Sequence, residues 1–154
     1  MEYQVKPVGT LRVRGGDCRI ELLPEYATAL VGLEGFGAVQ VLWWFSGCDN
    51  KTSRAVRTIH KPYRKGPDTL GVFATRSPER PNPIALSCAT VTYIDSANGV
   101  IGLAYCDAFD GTPVLDVKPY TPSLDRVEHP TVPAWCAHWP KNTETSGDFD
   151  WSDE

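Results

Sequence analysis

The sequence predicts an all-β protein: a compact antiparallel β-barrel forming a single domain, with one or two short helices. The chain of 154 residues contains 13 glycines and 13 prolines, which divide it into short segments. Many of these segments alternate polar with apolar side chains or are rich in β-branched and aromatic residues, as strands are. Short strands separated by frequent turn signals are typical of antiparallel barrels and sandwiches. A chain of this length suits one domain with one core.

Six segments are predicted as strands. Residues 18–23 alternate polar and apolar side chains, and residues 38–45, AVQVLWWF, combine β-branched with aromatic residues. The other predicted strands are residues 69–75, 84–94, 100–106 and 113–117. The dipeptide Asn98-Gly99 predicts a hairpin between two of them, because both residue types tolerate a positive φ.

One helix is predicted to begin at Pro24, since proline fits the first position of a helix. Tyr26, Leu30 and Leu33 follow at helical spacing and form an apolar stripe. A second short helix is possible at residues 133–139. Its two tryptophans lie four residues apart and are expected to pack as core rather than to bind a ligand.

The net charge of −4 is dominated by the end of the chain. Residues 142–154 contain five acidic and no basic residues, and the rest of the chain has 15 basic and 14 acidic ones. We expect residues 1–141 to form the barrel domain and residues 142–154 to form a flexible acidic tail.

The sequence shows no sign of export, of a membrane span or of a metal site. No stretch resembles a signal peptide, and no apolar run approaches the ~20 residues that cross a bilayer, so we expect a cytoplasmic protein without membrane contact. The five cysteines are odd in number and form no CxxC pair. Neither a disulfide framework nor a metal site is therefore expected.

Basic residues are concentrated in residues 51–80, which hold eight of the 15 lysines and arginines and only Asp68 and Glu79 as acids. Such a stripe is suited to a polyanion such as nucleic acid, and a solvated basic loop is an equally good interpretation. The pair Trp43 and Trp44 is compatible with stacking on a base, although strand positions of this kind are more often core.

Two segments have the composition of binding loops. Residues 73–84 place three prolines, Arg76 and Arg80 directly after a predicted strand. This composition favours a rigid loop whose two arginines bind a carboxylate or a phosphate. A rigid connection with two surface arginines is the alternative. Residues 109–120, FDGTPVLDVKPY, begin with a strong turn signal. Asp110 in that turn is suited to accept hydrogen bonds from ribose hydroxyls or an ammonium group, or simply to cap the turn.

The stretches ATRSPERPNPIALS and DGTPVLDVKPY resemble the signature motifs of the TsaA-like (TrmO) family. PVGTL near the N-terminus and PEYATALVGLEGFGAVQVLWWF are also similar to it, so the resemblance covers roughly residues 5–122. It implies a compact antiparallel barrel, a homodimer, and binding of S-adenosylmethionine without a Rossmann-like glycine motif. The best-known activity of the family is methylation of N6 of threonylcarbamoyladenosine, beside the tRNA anticodon.

The resemblance also implies a set of cofactor contacts and no metal. Two of these contacts, Arg76 and Leu86, lie at the two ends of the proline-rich motif, and Asn82 supports that loop. Two more, Ser46 and Gly47, follow the predicted strand that contains the tryptophans. The last four implied contacts form the DGTP turn: Asp110, Gly111, Thr112 and Pro113. By residue type alone, the candidates for a general base are Asp110, Asp116 and Tyr120.

Two departures from the family pattern keep alternatives open. Family members active on tRNA usually carry Ser-Pro-Tyr and a downstream Pro-Arg-Gln near the N-terminus, where this chain reads RVRGGDCRIEL. Its ending, VEHPTVPAWCAHWPK, resembles a shorter branch of the family. Three hypotheses follow: a methyltransferase acting on tRNA, one acting on a small molecule, and a non-enzymatic S-adenosylmethionine-binding module.

Overall fold

A computed structural model describes residues 3–154 and confirms the antiparallel barrel. The strands are β1 Gly9–Arg14, β2 Asp17–Leu22, β3 Ala38–Trp44, β4 Thr58–His60, β5 Thr69–Gly71, β6 Ile84–Asp95, β7 Val100–Leu103 and β8 Thr112–Pro119. Six of them close in the order β1-β2-β7-β6-β3-β8, and β4 pairs with β5 in a separate two-stranded sheet. The pairing of β1 with β8 closes the barrel.

The core fills the inside of the barrel. Side chains alternate between its inside and outside because successive residues of a strand point to opposite faces. The most deeply buried residues come from five of the six barrel strands, and each is 0% exposed: Leu11, Ile20, Val39, Val41, Ile101 and Val114. Strand β1 was not among the predicted strands, although its sequence GTLRVR has the same alternation.

The helical segments are short. The α-helices are α1 Lys51–Ala55, α2 Pro122–Asp125 and α3 Thr143–Ser146. The 3-10 helices are Pro24–Leu30, Ser46–Cys48, Val72–Ala74, Ala134–Cys136 and Trp151–Asp153. No helix in residues 3–154 is long and apolar enough to cross a membrane.

Three local predictions need correction. The helix predicted from Pro24 is a 3-10 helix that ends at Leu30, and Gly32 just beyond it has a φ of +83°. The strand predicted over residues 69–75 ends at Gly71, because the amide of Thr75 bonds back to Val72 O at 3.2 Å and closes a turn. The second predicted helix is a single 3-10 turn, Ala134–Cys136.

The hairpin between β6 and β7 is confirmed, but its loop is longer than two residues. Strand β6 ends at Asp95 and β7 begins at Val100. Gly99 has a φ of +68°, whereas Asn98 is not in the left-handed region. Instead, the Asp95 carboxylate accepts from the Asn98 amide at 3.1 Å and from its side-chain nitrogen at 2.7 Å. The aspartate thereby forms the turn that a second positive φ would have supplied.

The acidic segment of residues 142–154 packs on the rest of the protein, and its flexibility stays a prediction. Residues 142–154 contain α3 and the 3-10 helix Trp151–Asp153. Only 5% of the Glu154 side chain is exposed. The apolar Phe149 and Trp151 pack on each other with ring centroids 4.8 Å apart. This packing gives the acidic segment a means of attachment that its charge composition did not indicate.

Candidate functional site

A cleft of about 930 Å³ lies where β3 and β7 end and β6 and β8 begin. Its wall is formed by residues 43–48, the loop around Arg76 and Arg80, residues 84–88 and residues 105–112. Clefts of ~300–1,000 Å³ are typical of sites for small molecules and cofactors. The antiparallel pairing of β3 with β6 and β8 brings these distant parts of the sequence to one end of the barrel.

Most residues that the family resemblance implied meet in this cleft. Those that line it are Ser46, Gly47, Arg76, Leu86, Asp110, Gly111 and Thr112. Asn82 and Pro113 do not line it. The side-chain oxygen of Asn82 lies 3.4 Å from the guanidinium of Arg54, and Pro113 pairs with Thr10 of β1 in the barrel wall.

Arg76 joins the proline-rich loop to strand β6. Its Nη1 donates to the carbonyl oxygen of Leu86 at 2.8 Å, and no other acceptor within residues 3–154 bonds to this guanidinium. A guanidinium has five N–H donors. Arg76 is exposed in the cleft and therefore keeps donors for a carboxylate of a bound molecule.

Arg80 has a different role from the one its residue type suggested. Its Nε donates to Ser77 O at 2.7 Å, and its Nη2 donates to Thr75 O at 2.7 Å and to Val72 O at 3.2 Å. The guanidinium is half-buried and bonded to three carbonyls of its own loop. Arg80 therefore fixes the shape of the loop that presents Arg76.

The DGTP turn is attached to β1. Asp110 accepts from Arg14 Nε at 2.8 Å and from the Val13 amide at 3.2 Å. The bond from Arg14, followed by that from the Val13 amide, lowers the pKa of the Asp110 carboxyl. A carboxylate stabilised in its charged form is a weak proton acceptor, which argues against Asp110 as a general base.

Gly111 is selected by its backbone conformation. Its φ is +83°, in the left-handed region that favours glycine. Space is not the reason for glycine here, because an added Cβ would have no atom within 4 Å. The Gly111 amide donates to Leu11 O at 2.9 Å, and Thr112 is buried at the start of β8. The left-handed turn lets the chain enter the barrel wall next to the cleft.

The other two candidates for a base lie outside the cleft. Asp116 accepts from Lys118 Nζ at 2.5 Å and borders a separate cavity of about 90 Å³ next to Leu30. Tyr120 follows the end of β8, where its amide bonds to Ala38 O at 3.0 Å. Asp116 and Tyr120 belong to the same motif as Asp110. Residue type alone therefore could not show that they lie outside the cleft.

The wall of the cleft also contains Trp43 and Ser87, together with Cys106 and Asp107, which the sequence did not single out. Trp43 Nε1 donates to Ser87 Oγ at 3.0 Å, and Trp43 is buried, as its strand position favoured. Burial raises the pKa of the Cys106 thiol to about 11, against a smaller lowering by its hydrogen bond with Ser87. The available signal was proximity in sequence, since only Ala108 and Phe109 separate Cys106 and Asp107 from the DGTP turn.

Asp107 is the free carboxylate of the cleft. It is exposed on the wall, and within the described residues its carboxylate forms no hydrogen bond or ion pair. Across residues 3–154 all five cysteines are free thiols, and no group of three or more His, Cys, Asp or Glu side chains could hold a metal ion.

A family model, the tRNA-methyltransferase O N-terminal domain, matches residues 3–126. The chain belongs to this family. The resemblance seen in the sequence is thereby confirmed, and the match includes both motifs that meet in the cleft.

Two similar proteins have names that agree with this family. A "probable S-adenosyl-L-methionine-binding protein" of Methanothermobacter thermautotrophicus is 33% identical over 139 residues, which are 81% of this chain and 95% of that protein. The mouse (Mus musculus) tRNA (adenine(37)-N6)-methyltransferase is 38% identical over 109 residues, 71% of this chain but only 24% of the relative.

A crystal structure of TrmO from Pseudomonas aeruginosa superimposes with a TM-score of 0.65 at 31% identity, covering 85% of this chain and 61% of that one. The chain thus spans less than two thirds of both the mouse enzyme and this structure.

Proposed function

We propose that this chain is an S-adenosylmethionine-dependent methyltransferase that methylates N6 of threonylcarbamoyladenosine next to the tRNA anticodon. The observation that carries the proposal is the meeting of two distant family motifs, around Arg76 and around Gly111, in one cleft. The names of the relatives support both parts, since one is named for binding the cofactor and another for methylating adenine 37 of tRNA.

The residues of the cleft suit this cofactor. The free donors of Arg76 match its carboxylate. Ile84 and Leu86, whose exposed fractions are 37% and 45%, offer apolar surface to its purine. Ser46 and Gly47 on one side and the DGTP turn on the other would complete the binding wall. When bound, the cofactor supplies an electrophilic methyl group.

The protein's own part in the reaction is alignment and handling of one proton. Holding two reactants in a reactive geometry is worth ~7–11 kcal/mol of the barrier. Asp107 is the carboxylate placed to accept a hydrogen bond or a proton from the acceptor nitrogen. Cys106, with its raised pKa, stays a neutral thiol, so it does not compete for the methyl group as a thiolate.

Methyl transfer to tRNA is tested directly with a labelled donor. The substrates are tRNA carrying threonylcarbamoyladenosine and the same tRNA without that modification. We expect label only in the modified tRNA, and a loss of at least tenfold in rate for Asp107→Asn with little change in cofactor affinity. Cofactor binding without label in either tRNA would contradict the proposal.

A second candidate is a module that binds S-adenosylmethionine without transferring its methyl group. The observation that favours it is the archaeal relative, which this chain covers over 95% of its length and which is named for binding alone. A methyltransferase acting on a small molecule remains compatible with the altered N-terminal motif. Calorimetry together with the transfer assay separates these possibilities, because binding with no turnover supports the module.

Two further parts of the proposal concern assembly and location. The homodimer that the resemblance implies predicts a molecular mass twice that of the 17.0 kDa chain in sedimentation equilibrium. The cytoplasmic location stays a prediction from the sequence. Fractionation of cells that express the chain would test it.

A further inference from the structure

The acidic end of the chain lies on part of the basic segment. Asp153 Oδ1 accepts from Arg64 Nη1 at 3.2 Å, and Glu154 Oε1 accepts from Lys65 Nζ at 2.9 Å. A second oxygen of Asp153 is 3.7 Å from Lys65 Nζ. Two carboxylates thus occupy two adjacent cations that are more than 80 residues away in sequence.

Glu154 is held more firmly than an ordinary surface carboxylate. Besides Lys65, it accepts from Trp139 Nε1 at 2.9 Å and bonds to His138 Nε2 at 2.7 Å. Only 5% of its side chain is exposed. These contacts give the tail a defined seat on the protein, whereas isolated surface ion pairs contribute ~0–1 kcal/mol.

Aromatic packing fixes the same segment. The ring of Trp151 lies edge-on to Trp139 with centroids 5.5 Å apart, and Trp139 contacts Tyr63 at 5.1 Å. Tyr63 in turn stacks on Trp135 at 5.2 Å. The tail thus contacts Arg64, Lys65, His138 and Trp139, and Trp139 packs on Tyr63 next to these cations.

Arg64 and Lys65 differ from other cations of the basic segment in where their carboxylate partners lie. Arg54 pairs with Asp49, and Lys61 pairs with Asp68, close by in sequence. Within residues 3–154, Arg64 and Lys65 form ion pairs only with the tail. Removal of the tail would therefore release two cations at once, next to an aromatic surface. Adjacent cations with aromatic rings are the groups that bind the backbone and bases of single-stranded nucleic acid.

We propose that residues 142–154 are an autoinhibitory segment that occupies Arg64 and Lys65 and is displaced when an RNA strand binds there. The carboxylates of Asp153 and Glu154 take the place of phosphate oxygens, which arginine and lysine bind by the same charge-assisted hydrogen bonds. Arg64 and Lys65 lie in the loop of the β4–β5 hairpin, and β5 leads directly into the loop that Arg80 shapes at the cleft. The inference rests on the proposed function only in naming RNA as the ligand.

The test measures binding of a fluorescent single-stranded RNA by anisotropy at several salt concentrations. The first variant combines Asp153→Asn with Glu154→Gln, which removes two charges and keeps an oxygen to accept from Trp139. The matched control combines Glu144→Gln with Asp148→Asn, two tail carboxylates that form no ion pair within the described residues. Thermal unfolding of each variant shows whether the barrel is intact.

We expect the first variant to bind RNA about tenfold more tightly, and the plot of log affinity against log salt to steepen by about 1.4, for two further phosphate contacts on a single strand. The control should change the slope little. Adding Arg64→Gln and Lys65→Gln to the first variant should abolish the gain, whereas the same pair in the otherwise unaltered chain should change affinity less than twofold. Equal gains in the first variant and the control, or no gain in the first variant, would overturn the proposal.

This outcome is distinguishable from failure of the proposed function. RNA binding is measured without cofactor or methyl transfer. If the unaltered chain methylates tRNA and the first variant shows no gain, the autoinhibitory role is wrong and the enzymatic function stands. If the gain appears and no tRNA is methylated, the tail covers an RNA surface and only the proposed reaction fails.

Discussion

The guanidinium of Arg76 donates a 2.8 Å hydrogen bond to the main-chain oxygen of Leu86. This bond connects the two ends of the proline-rich motif at the wall of the cleft and holds the loop against β6. It consumes one donor of Arg76 and leaves Leu86 exposed on the wall. The contact therefore positions a cation and an apolar surface side by side, as a ligand with a carboxylate and a purine requires.

Replacement of Arg76 tests whether this cation binds the cofactor. We expect Arg76→Ala to weaken S-adenosylmethionine binding about 10- to 100-fold, because a hydrogen bond to a charged group is worth ~1.5–3 kcal/mol. Isothermal titration calorimetry measures the change. Arg126→Ala is the control, since Arg126 pairs with Glu128 and does not line the cleft. Equal affinity of both variants would place the cofactor elsewhere.

Arg80 should act through Arg76. Arg80→Lys loses the forked contact with three carbonyls, which an ammonium cannot reproduce, so we expect a loss of ~1–3 kcal/mol in the free energy of unfolding. Cofactor affinity should fall as well, because the loop that presents Arg76 is released. Denaturant unfolding and calorimetry measure the two effects.

A double-mutant cycle identifies Arg80 as a positioning residue. If Arg80 affects the cofactor only through Arg76, then adding Arg80→Lys to Arg76→Ala should cause little further loss of affinity. Losses that add fully would mean that Arg80 contacts the ligand itself.

The cysteines report on the cleft. In the folded protein at pH 8, we expect iodoacetamide to modify Cys48 and Cys88, because Cys48 is half-buried and Cys88 is exposed. Desolvation raises the pKa of the Cys88 thiol and slows its reaction relative to an unperturbed thiol. Cys18, Cys106 and Cys136 are buried and should react only after unfolding. With its pKa at about 11, Cys106 is roughly one part in a thousand thiolate at pH 8.

Ligand protection extends this experiment. Cys48 and Cys88 line the cleft, so S-adenosylmethionine should slow the alkylation of both, as followed by mass spectrometry of peptides. The buried Cys136, outside the cleft, is the internal reference. Unchanged rates at a saturating concentration of the cofactor would show that the molecule binds away from this wall.

The seat of the tail should depend on pH. Hydrogen bonds from Trp139, then Lys65 and His138, lower the pKa of Glu154 from 4.5 to about 2. A carboxyl whose pKa is lowered in the folded state stabilises that state above its unfolded pKa and loses the effect as pH falls. The contribution of Glu154 is thus complete above about pH 4.5 and is lost towards pH 2.

Tryptophan fluorescence can follow this change, because Trp139 and Trp151 lie at the contact. We expect a transition between pH 4.5 and 2 that is absent in Glu154→Gln, while far-ultraviolet circular dichroism shows that the barrel remains folded. The same transition in both proteins would exclude Glu154 as its cause.

Much of the site could be predicted because its residues are grouped in two short motifs. Arg76 and Leu86 bracket one motif, and Gly111 lies in the other, so composition and family pattern were sufficient to name them. Asp107 and Cys106 carry no pattern of their own, and only the closure of the barrel shows that they face the same cleft. Composition alone did not separate Arg76 from Arg80. The family resemblance named only Arg76, and the structure gives the physical difference, which is the acceptors around each guanidinium.

The sequence by itself determined the barrel and its core. Inward and outward positions of a strand alternate with period two, so local pattern fixes which side chains are buried. Only the tertiary structure decided which charged groups meet. Asp110 is paired with Arg14, and Glu154 with Lys65, across about 90 residues of chain. A charge has no periodicity that reveals its partner, and the partner decides whether it binds a ligand, shapes a loop or covers a surface.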